Sequence, residues 1–361
     1  MIVKSIDLKD FRNYTIEHID FDEHTNIIYG DNAQGKTNIL EAVFLSGTSK
    51  SHKGSKDLEL INFIKDEAHI KTVISRNSID YRIDMHIKKN KAKGIAINGI
   101  PVKKTLDLYG IVNLIFFSPE DLNIIKNGPA GRRKFMDMEL CQLNKVYANN
   151  LVSYNKALDQ RNKLLKDISF NPSLKDTLDI WDIQITKYGK EIISTRKEFI
   201  EKLNYIISPV HSKLTGGKEE LTISYEPSVK AEDFERELEV SKEKDIRMKV
   251  TEKGPHRDDV IFQINGIDIR KYGSQGQQRT TALSLKLAEI ELVKEITGDT
   301  PILLLDDVLS ELDSNRQNHL LNSINNVQTI ITCTGLDDFI NNRFNINSIF
   351  KVINGKVFKE N

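Results

Sequence analysis

Cysteine is scarce in this 361-residue chain: Cys141 and Cys333 stand far apart, neither at metal-ligand spacing from another cysteine. That excludes a disulfide-stapled module and a cysteine zinc site, and it makes a reducing, cytosolic compartment the expectation. Net charge is lacking too, because 52 Lys and Arg are balanced by 52 Asp and Glu. Global attraction to nucleic acid is thereby excluded, so any such contact needs a local basic patch or a clamp around the strand. No apolar run approaches a membrane span, and Met1-Ile-Val-Lys-Ser-Ile-Asp lacks the stretch of a secretory leader. A soluble, cytoplasmic protein without a membrane partner is expected. Internal repeats and low-complexity tracts are missing as well.

What is present begins with Gly30, Asp31, Asn32, Ala33, Gln34, Gly35, Lys36 and Thr37, which fit the phosphate-binding pattern G-x-x-x-x-G-K-[ST] at every fixed position. A short apolar strand, Asn26-Ile27-Ile28-Tyr29, precedes it, and a helical stretch from Asn38 follows. The chemistry requires that setting. Glycines let backbone N–H groups turn inward around phosphates, and the helix N-terminus adds partial positive charge. Lys36 would reach the β- and γ-phosphates of ATP, and the Thr37 hydroxyl would complete a Mg²⁺ shell.

Elsewhere the pattern alternates between strand and helix periods. Ile79, Tyr81, Ile83, Met85 and Ile87 mark a half-buried strand, and Asn98-Gly99 a tight hairpin. From about Glu139 apolar residues recur at three- and four-residue steps through Leu158, and again from Leu178 to Ile206. These stripes predict an antiparallel helical hairpin broken at Asn171-Pro172 and ended near Pro209. Trp181 lies on the second stripe, where core packing is expected. Strand signals return at Leu221–Tyr225 and Val260–Ile264, flanking a charge-dense stretch from Glu232 to Lys244 that reads as an exposed helix or a linker. The last third alternates helix and strand, an α/β order.

Pro301-Ile-Leu-Leu-Leu305-Asp306-Asp307 reads as a buried strand ending in two carboxylates. In a P-loop protein it is expected beside the P-loop strand, with Asp306 serving Mg²⁺ through water and Asp307 orienting the attacking water. Ser274, Gln275, Gly276 and Gln277 open the helix from Thr280 to Ile296, a second anion-binding device at a helix N-terminus. Signature first, aspartate strand next, then Ser310-Glu-Leu-Asp313 is the order of ABC-type ATPases.

With these motifs in place the chain resembles the RecF family, bacterial recombination and gap-repair ATPases related to the heads of SMC and Rad50 proteins. The resemblance is carried further by Ile6 to Tyr14, by Ser118-Pro-Glu-Asp-Leu122, by Gly128-Pro129 through Arg132-Arg-Lys-Phe-Met-Asp137, and by Gly254-Pro-His-Arg-Asp258. It implies an ATP-dependent homodimer that clamps double-stranded DNA near single-strand gap junctions and, with RecR and RecO, helps load RecA. It implies that Ser274 to Gln277 meet the γ-phosphate held by a partner copy, and that Arg12 and Asn13 touch the nucleotide. The implied fold is an ABC-type P-loop ATPase head, α/β with mixed sheet and helices, carrying an inserted, mainly helical lobe. Residues 1–118 would be the N-terminal head part, 119–244 the helical lobe and 245–361 the C-terminal head part.

Two departures from the wider ABC pattern argue for slow turnover. The hydrolytic position holds Asp307 where Glu is common, and Thr332-Cys333-Thr334 carries no switch histidine. Weak, DNA-dependent ATP hydrolysis acting as a release switch is expected, with no nuclease or helicase activity; a scaffold that binds ATP without hydrolysing it is the alternative. An ABC-type nuclease would need a domain beyond Asp313, and a transporter ATPase would place the signature closer to Thr37.

Basic clusters occur at Lys50, Lys53 and Lys56, at Lys88, Lys89, Lys91 and Lys93, at Lys103-Lys104 and at Arg132-Arg133-Lys134. Each alone reads as a solvated face. Lys50, Lys53, Lys56, Lys88, Lys89 and Lys91 are assigned to a DNA phosphate track, on the condition that several clusters converge. His256, without a spaced partner, reads as a packing residue in a turn rather than a metal ligand.

Overall fold

The computed structural model describes residues 1–324, 326–336 and 346–360. In chain order the first elements are β1 (Ile2–Phe11), β2 (Tyr14–Asp20), β3 (Thr25–Tyr29), α1 (Lys36–Thr48), α2 (Asp57–Leu60), β4 (Glu67–Arg76), β5 (Ile79–Lys88), β6 (Gly94–Ile97), β7 (Ile100–Pro101) and β8 (Leu114–Phe117). Then come α3 (Leu122–Lys126), α4 (Pro129–Leu143), α5 (Lys145–Ile168), α6 (Leu178–Thr215), β9 (Leu221–Glu226), α7 (Phe234–Met248), β10 (Asp259–Ile264), β11 (Ile267–Asp268), α8 (Ile269–Tyr272) and α9 (Gln275–Thr297). The chain continues through β12 (Ile302–Asp306), α10 (Ser314–Ser323), β13 (Thr329–Cys333), β14 (Ser348–Ile353) and β15 (Lys356–Glu360). Two units result: Met1–Asp121 with Leu285–Asn361, and Leu122–Ser284.

The first unit holds two sheets. One is antiparallel, in the order β2-β1-β4-β5-β6-β7, and contains the alternating strand at 79–87. Its β6–β7 turn takes Asn98 and Gly99 to positive φ, 52° and 81°, as a two-residue hairpin requires. The other sheet runs β15-β14-β3-β13-β12-β8, parallel from β14 to β8. Its strands β3, β13, β12 and β8 are buried on both faces, which is why 302–305 is apolar at every position. The aspartate strand β12 is not the neighbour of the P-loop strand β3. Strand β13 lies between them, with Thr332 opposite Ile28 on one side and Asp306 on the other. A strand as buried as Thr329–Cys333 needs a partner on each edge for its backbone groups, and the two motif strands supply them.

The second unit is built on a helical hairpin. Arg161 pairs with Asp182, and the Tyr147 hydroxyl accepts from Arg196, a pattern only antiparallel helices produce. The stripe beginning at Leu140 is split between α4 and α5, because Asn144 caps α5 by accepting from Val146 N at 2.9 Å and Tyr147 N at 3.0 Å. Pro209 does not end α6, which runs on to Thr215 with buried His211 in its last turns. Trp181 is half-buried rather than a core residue. Strands β9 and β10 pair along their whole length, from Glu226 with Asp259 to Leu221 with Ile264. That pairing carries 245–284 into the second unit, so the return to the head, expected at 245, falls at Leu285 inside α9.

Buried charge is concentrated here. Arg161 and Asp245 are both 0% exposed and meet at 2.6 Å. Arg196 donates to Asp137 at 2.7 Å, Asp258 at 3.0 Å, the Tyr147 hydroxyl at 3.0 Å and Pro255 O at 2.6 Å. Arg132 is 2% exposed and grips Asp259 at 2.6 and 2.9 Å, which takes it out of any solvated basic face. His256 sits in a turn, as expected, with Nδ1 2.7 Å from the Tyr154 hydroxyl and Nε2 2.9 Å from Thr251 O. Burial pushes its imidazole down to about 4, and nearby arginines add to the effect.

Two expectations follow. Arg196→Leu strands buried Asp258, and in urea unfolding it should cost about 3–5 kcal/mol; a loss near zero would show that the arginine is dispensable. The folded-state pKa of His256 lies below its unfolded value near 6.5. Its neutral form therefore contributes stability in full above pH 6.5, and the contribution is lost as pH falls toward 4. The stability drop from pH 7 to pH 5 should shrink in His256→Gln, and an unchanged drop would rule the residue out as its source.

Candidate nucleotide site

The phosphate loop links β3 to α1, and its glycines are required by their surroundings. A Cβ on Gly30 (φ 149°) would stand 2.5 Å from Val352 O, and one on Gly35 (φ 115°) would stand 2.4 Å from Asn13 Nδ2. Ala33 also takes a positive φ of 63°. The loop is braced from outside: Asn13 Nδ2 donates to Gln34 O at 2.8 Å, Asn38 Nδ2 to Asn13 Oδ1 at 2.8 Å, and the Tyr14 hydroxyl to Gly35 O at 3.0 Å. Lys36, 8% exposed, turns its ammonium back across the loop to Gly30 O at 2.6 Å and Asp31 O at 2.8 Å.

Thr37 and Asp306, 269 residues apart in sequence, meet at 2.7 Å, with the hydroxyl donating to Oδ1. The same oxygen accepts from Thr332 Oγ1 at 2.7 Å. A hydroxyl and a carboxylate converging beside a phosphate loop are hard oxygen donors of the kind that suit Mg²⁺, so the residues fit the ion. Asp307 turns the chain at positive φ, 53°, while its N–H donates to Thr332 O and Oγ1 at 3.2 and 3.1 Å. Its carbonyl accepts from Ser310 Oγ at 2.9 Å. Backbone strain of this kind, held by neighbours, is common at functional turns. Thr332 escapes a reading of the sequence that looks for a histidine at that strand end.

Arg12 stands apart from the loop-bracing residues. It donates to Glu41 at 2.8 and 2.9 Å, to Ser55 Oγ at 2.7 Å and to Glu59 O at 2.8 Å, which commits four of its five N–H groups to protein. Glu41 is 0% exposed and also accepts from Ser51 Oγ. Burial pushes its carboxyl up, but the hydrogen bonds from Arg12 and Ser51 outweigh it and hold it below the ordinary carboxylate range.

Ser274, Gln275, Gly276 and Gln277 belong to the second unit, at the head of α9. Ser274 Oγ accepts from Gln277 N at 3.2 Å, and Ser274 N donates to Gln277 Oε1 at 2.9 Å, a reciprocal capping box. The serine keeps its hydroxyl proton for another acceptor.

Of the lysines, Lys50, Lys53, Lys56 and Lys91 are exposed. Lys88 pairs with Glu67 at 3.1 Å and Lys89 with Asp66 at 3.0 Å. Lys93 bridges the two clusters, donating to Ser49 O at 2.9 Å and Asp57 at 2.7 Å. Among the described residues Glu67, His69 and His86 are also grouped closely enough to hold an ion, on β4 and β5 rather than on the phosphate loop. No helix of the described residues is long and apolar enough to cross a membrane.

Comparison with known proteins agrees along the whole chain. The RecF/RecN/SMC N-terminal domain family matches residues 2–356. A DNA replication and repair protein RecF of Lachnospira eligens is 66% identical, covering 100% of both chains, and that of Lachnoclostridium phytofermentans is 62% identical over 99% of this chain and 100% of its own. A solved structure of the recombination mediator protein RecF with ATP, in the RecFOR pathway, superposes with a TM-score of 0.93 at 38% identity, covering 99% of this chain and 97% of the other. An SMC head domain from Pyrococcus furiosus, at 17% identity and a TM-score of 0.57 over 99% of this chain and 96% of its own, shares the fold. The ABC-type ATPase head and these full-length identities lead to one statement: the chain belongs to the RecF family.

Proposed function

We propose that the protein is an ATP-dependent recombination mediator acting in DNA replication and gap repair. The observation that carries this reading is the meeting of Thr37 with Asp306 beside the Lys36 loop, which joins the two halves of a nucleotide site across the intervening strand. Lys36 would leave the loop carbonyls for the β- and γ-phosphates, and the α1 N-terminus would present its N–H groups to them. Thr37 and Asp306 would hold Mg²⁺, which when bound offsets phosphate charge. Asp307 would orient the attacking water, and Asn13 and Arg12 would flank the nucleotide. Ser274 to Gln277 would cap the γ-phosphate of a second copy, so that ATP joins two chains and its hydrolysis parts them.

The closed pair would hold double-stranded DNA next to a single-strand gap and work with RecR and RecO toward RecA loading, in the cytoplasm. Lys93 supports the DNA track, because its bonds to Ser49 and Asp57 draw the Lys50–Lys56 segment and the Lys88–Lys91 segment together. The ion pairs of Lys88 and Lys89 are exposed and weak, so phosphate can compete for both lysines.

Phosphate release tests the chemistry. Lys36→Ala should weaken ATP binding about tenfold or more, the scale of a lost charge-assisted contact. Asp307→Asn should keep ATP affinity and lose most DNA-stimulated hydrolysis; equal rates for wild type and Asp307→Asn would favour a scaffold that never hydrolyses ATP. For the track, reversing Lys53, Lys56 and Lys91 to Glu should weaken duplex binding and flatten its salt dependence, by about 0.9 in log–log slope per lost phosphate contact. An unaltered slope would remove those lysines from the interface.

A further inference from the structure

The signature turn is held from behind by a chain of hydrogen bonds that starts at a buried histidine. His211, on α6, is 0% exposed and places Nδ1 2.8 Å from Ser284 Oγ on α9. Its Nε2 lies 3.1 Å from Glu219 Oε2. The other oxygen of that carboxylate accepts from Gln277 Nε2 at 3.0 Å. Gln277 then closes the capping box, its oxygen taking the Ser274 N–H at 2.9 Å. Every member lies within the second unit.

The polarity of this chain is determined by its chemistry. A carboxylate only accepts, so Nε2 of His211 carries a proton toward Glu219, and the Gln277 amide must turn its NH₂ to the same carboxylate. That leaves the amide oxygen facing Ser274. Without Glu219 the amide loses the partner that tells its two ends apart, and a flipped amide would set N–H against N–H at the cap. Because His211 also meets Ser284, α9 is gripped at its first turn and again further along its length.

We infer that His211 and Glu219 are positioning residues for the signature: they lock Gln277 so that the Ser274 hydroxyl and the first-turn N–H groups of α9 are presented to a phosphate of a second copy. This rests on reading the Ser274 turn as the contact made in trans. It adds two residues outside the motif, on α6 and on the segment before β9, to that reading.

A carboxylate–amide exchange tests it in the full-length chain. Glu219→Ala removes the acceptor, and Gln277→Glu sets two carboxylates face to face. Each should speed amide hydrogen exchange over 275–280 about tenfold, the worth of a hydrogen bond to a charged group, and raise by a similar factor the ATP concentration needed for dimerisation in sedimentation. In Glu219→Ala, which lies outside the signature, ATP affinity of the phosphate loop should not change. The double variant Glu219→Gln with Gln277→Glu should recover both readouts. There the amide at 219 donates to the carboxylate at 277 while still accepting from His211, and the second carboxylate oxygen takes the Ser274 N–H. General loosening of the fold would not be rescued by that swap.

Wild-type exchange rates in both single variants, or a double variant no better than Gln277→Glu, would overturn the inference. Ser274→Arg separates the two levels. If it alone is monomeric while the other variants dimerise as wild type, the lock fails and the trans contact stands. If it too dimerises normally, the trans reading falls and the inference with it.

Discussion

The hydrogen bond from Thr37 to Asp306 ties the two ends of the chain into one head. It spans 269 residues and crosses above β13, the strand that separates their own strands. Such a bond forms only if β3, β13 and β12 are in register, because Asp306 ends β12, Thr37 lies in the first turn of α1 just after the loop that follows β3, and a shift of one position in β12 would reverse the face of Asp306. Thr332, at the end of the middle strand, makes that register chemical by bonding the same carboxylate oxygen. The sheet's apolar interior supplies the stability, and these hydroxyl–carboxylate bonds determine where its ends lie.

The second unit solves a different problem, that of keeping charge inside a helical body. Arg161 and Arg196 face acidic groups from distant segments: Asp182 and Asp245 for the one, Asp137 and Asp258 for the other. Replacing such ion pairs by apolar side chains often costs little, whereas losing one partner costs much, so their merit lies in specifying which segments come together. Gly254 to Asp258, a stretch that helps distinguish the family in sequence, lies at the centre of this network through Pro255 O, His256 and Asp258.

Legibility in the sequence follows the range of the physics involved. The glycine-bearing loop between β3 and α1 was readable because its glycines, lysine and threonine lie within eight positions. The capping box at Ser274 and the Asn98-Gly99 hairpin are equally local. The position of β13 was not readable, since periodicity identifies a strand without naming its neighbours. The second boundary of the helical unit was missed for a similar reason: β9 finds β10 across the whole of α7. Arg132 looked like surface charge because its partner, Asp259, lies 127 residues away. Pro209 looked like a helix end because a missing N–H is a local signal, while the burial that carries α6 past it is not. The family was recognisable from several local motifs in fixed order, which needs none of the long-range pairings.

Arg12 and Glu41 give the head a mechanical property. Glu41 belongs to the helix whose N-terminus forms the phosphate loop, yet its two oxygens hold Arg12 and Ser51, and Arg12 holds Ser55 and Glu59 as well. Residues 51–59 are thus moored to α1 through one buried carboxylate. A force that displaces that segment is transmitted to the helix, and a change in the pitch of the helix is transmitted back to the segment. Thermodynamic coupling is reciprocal. The segment that carries Lys53 and Lys56 is therefore fastened directly to the helix behind the phosphate loop, with no other element in between.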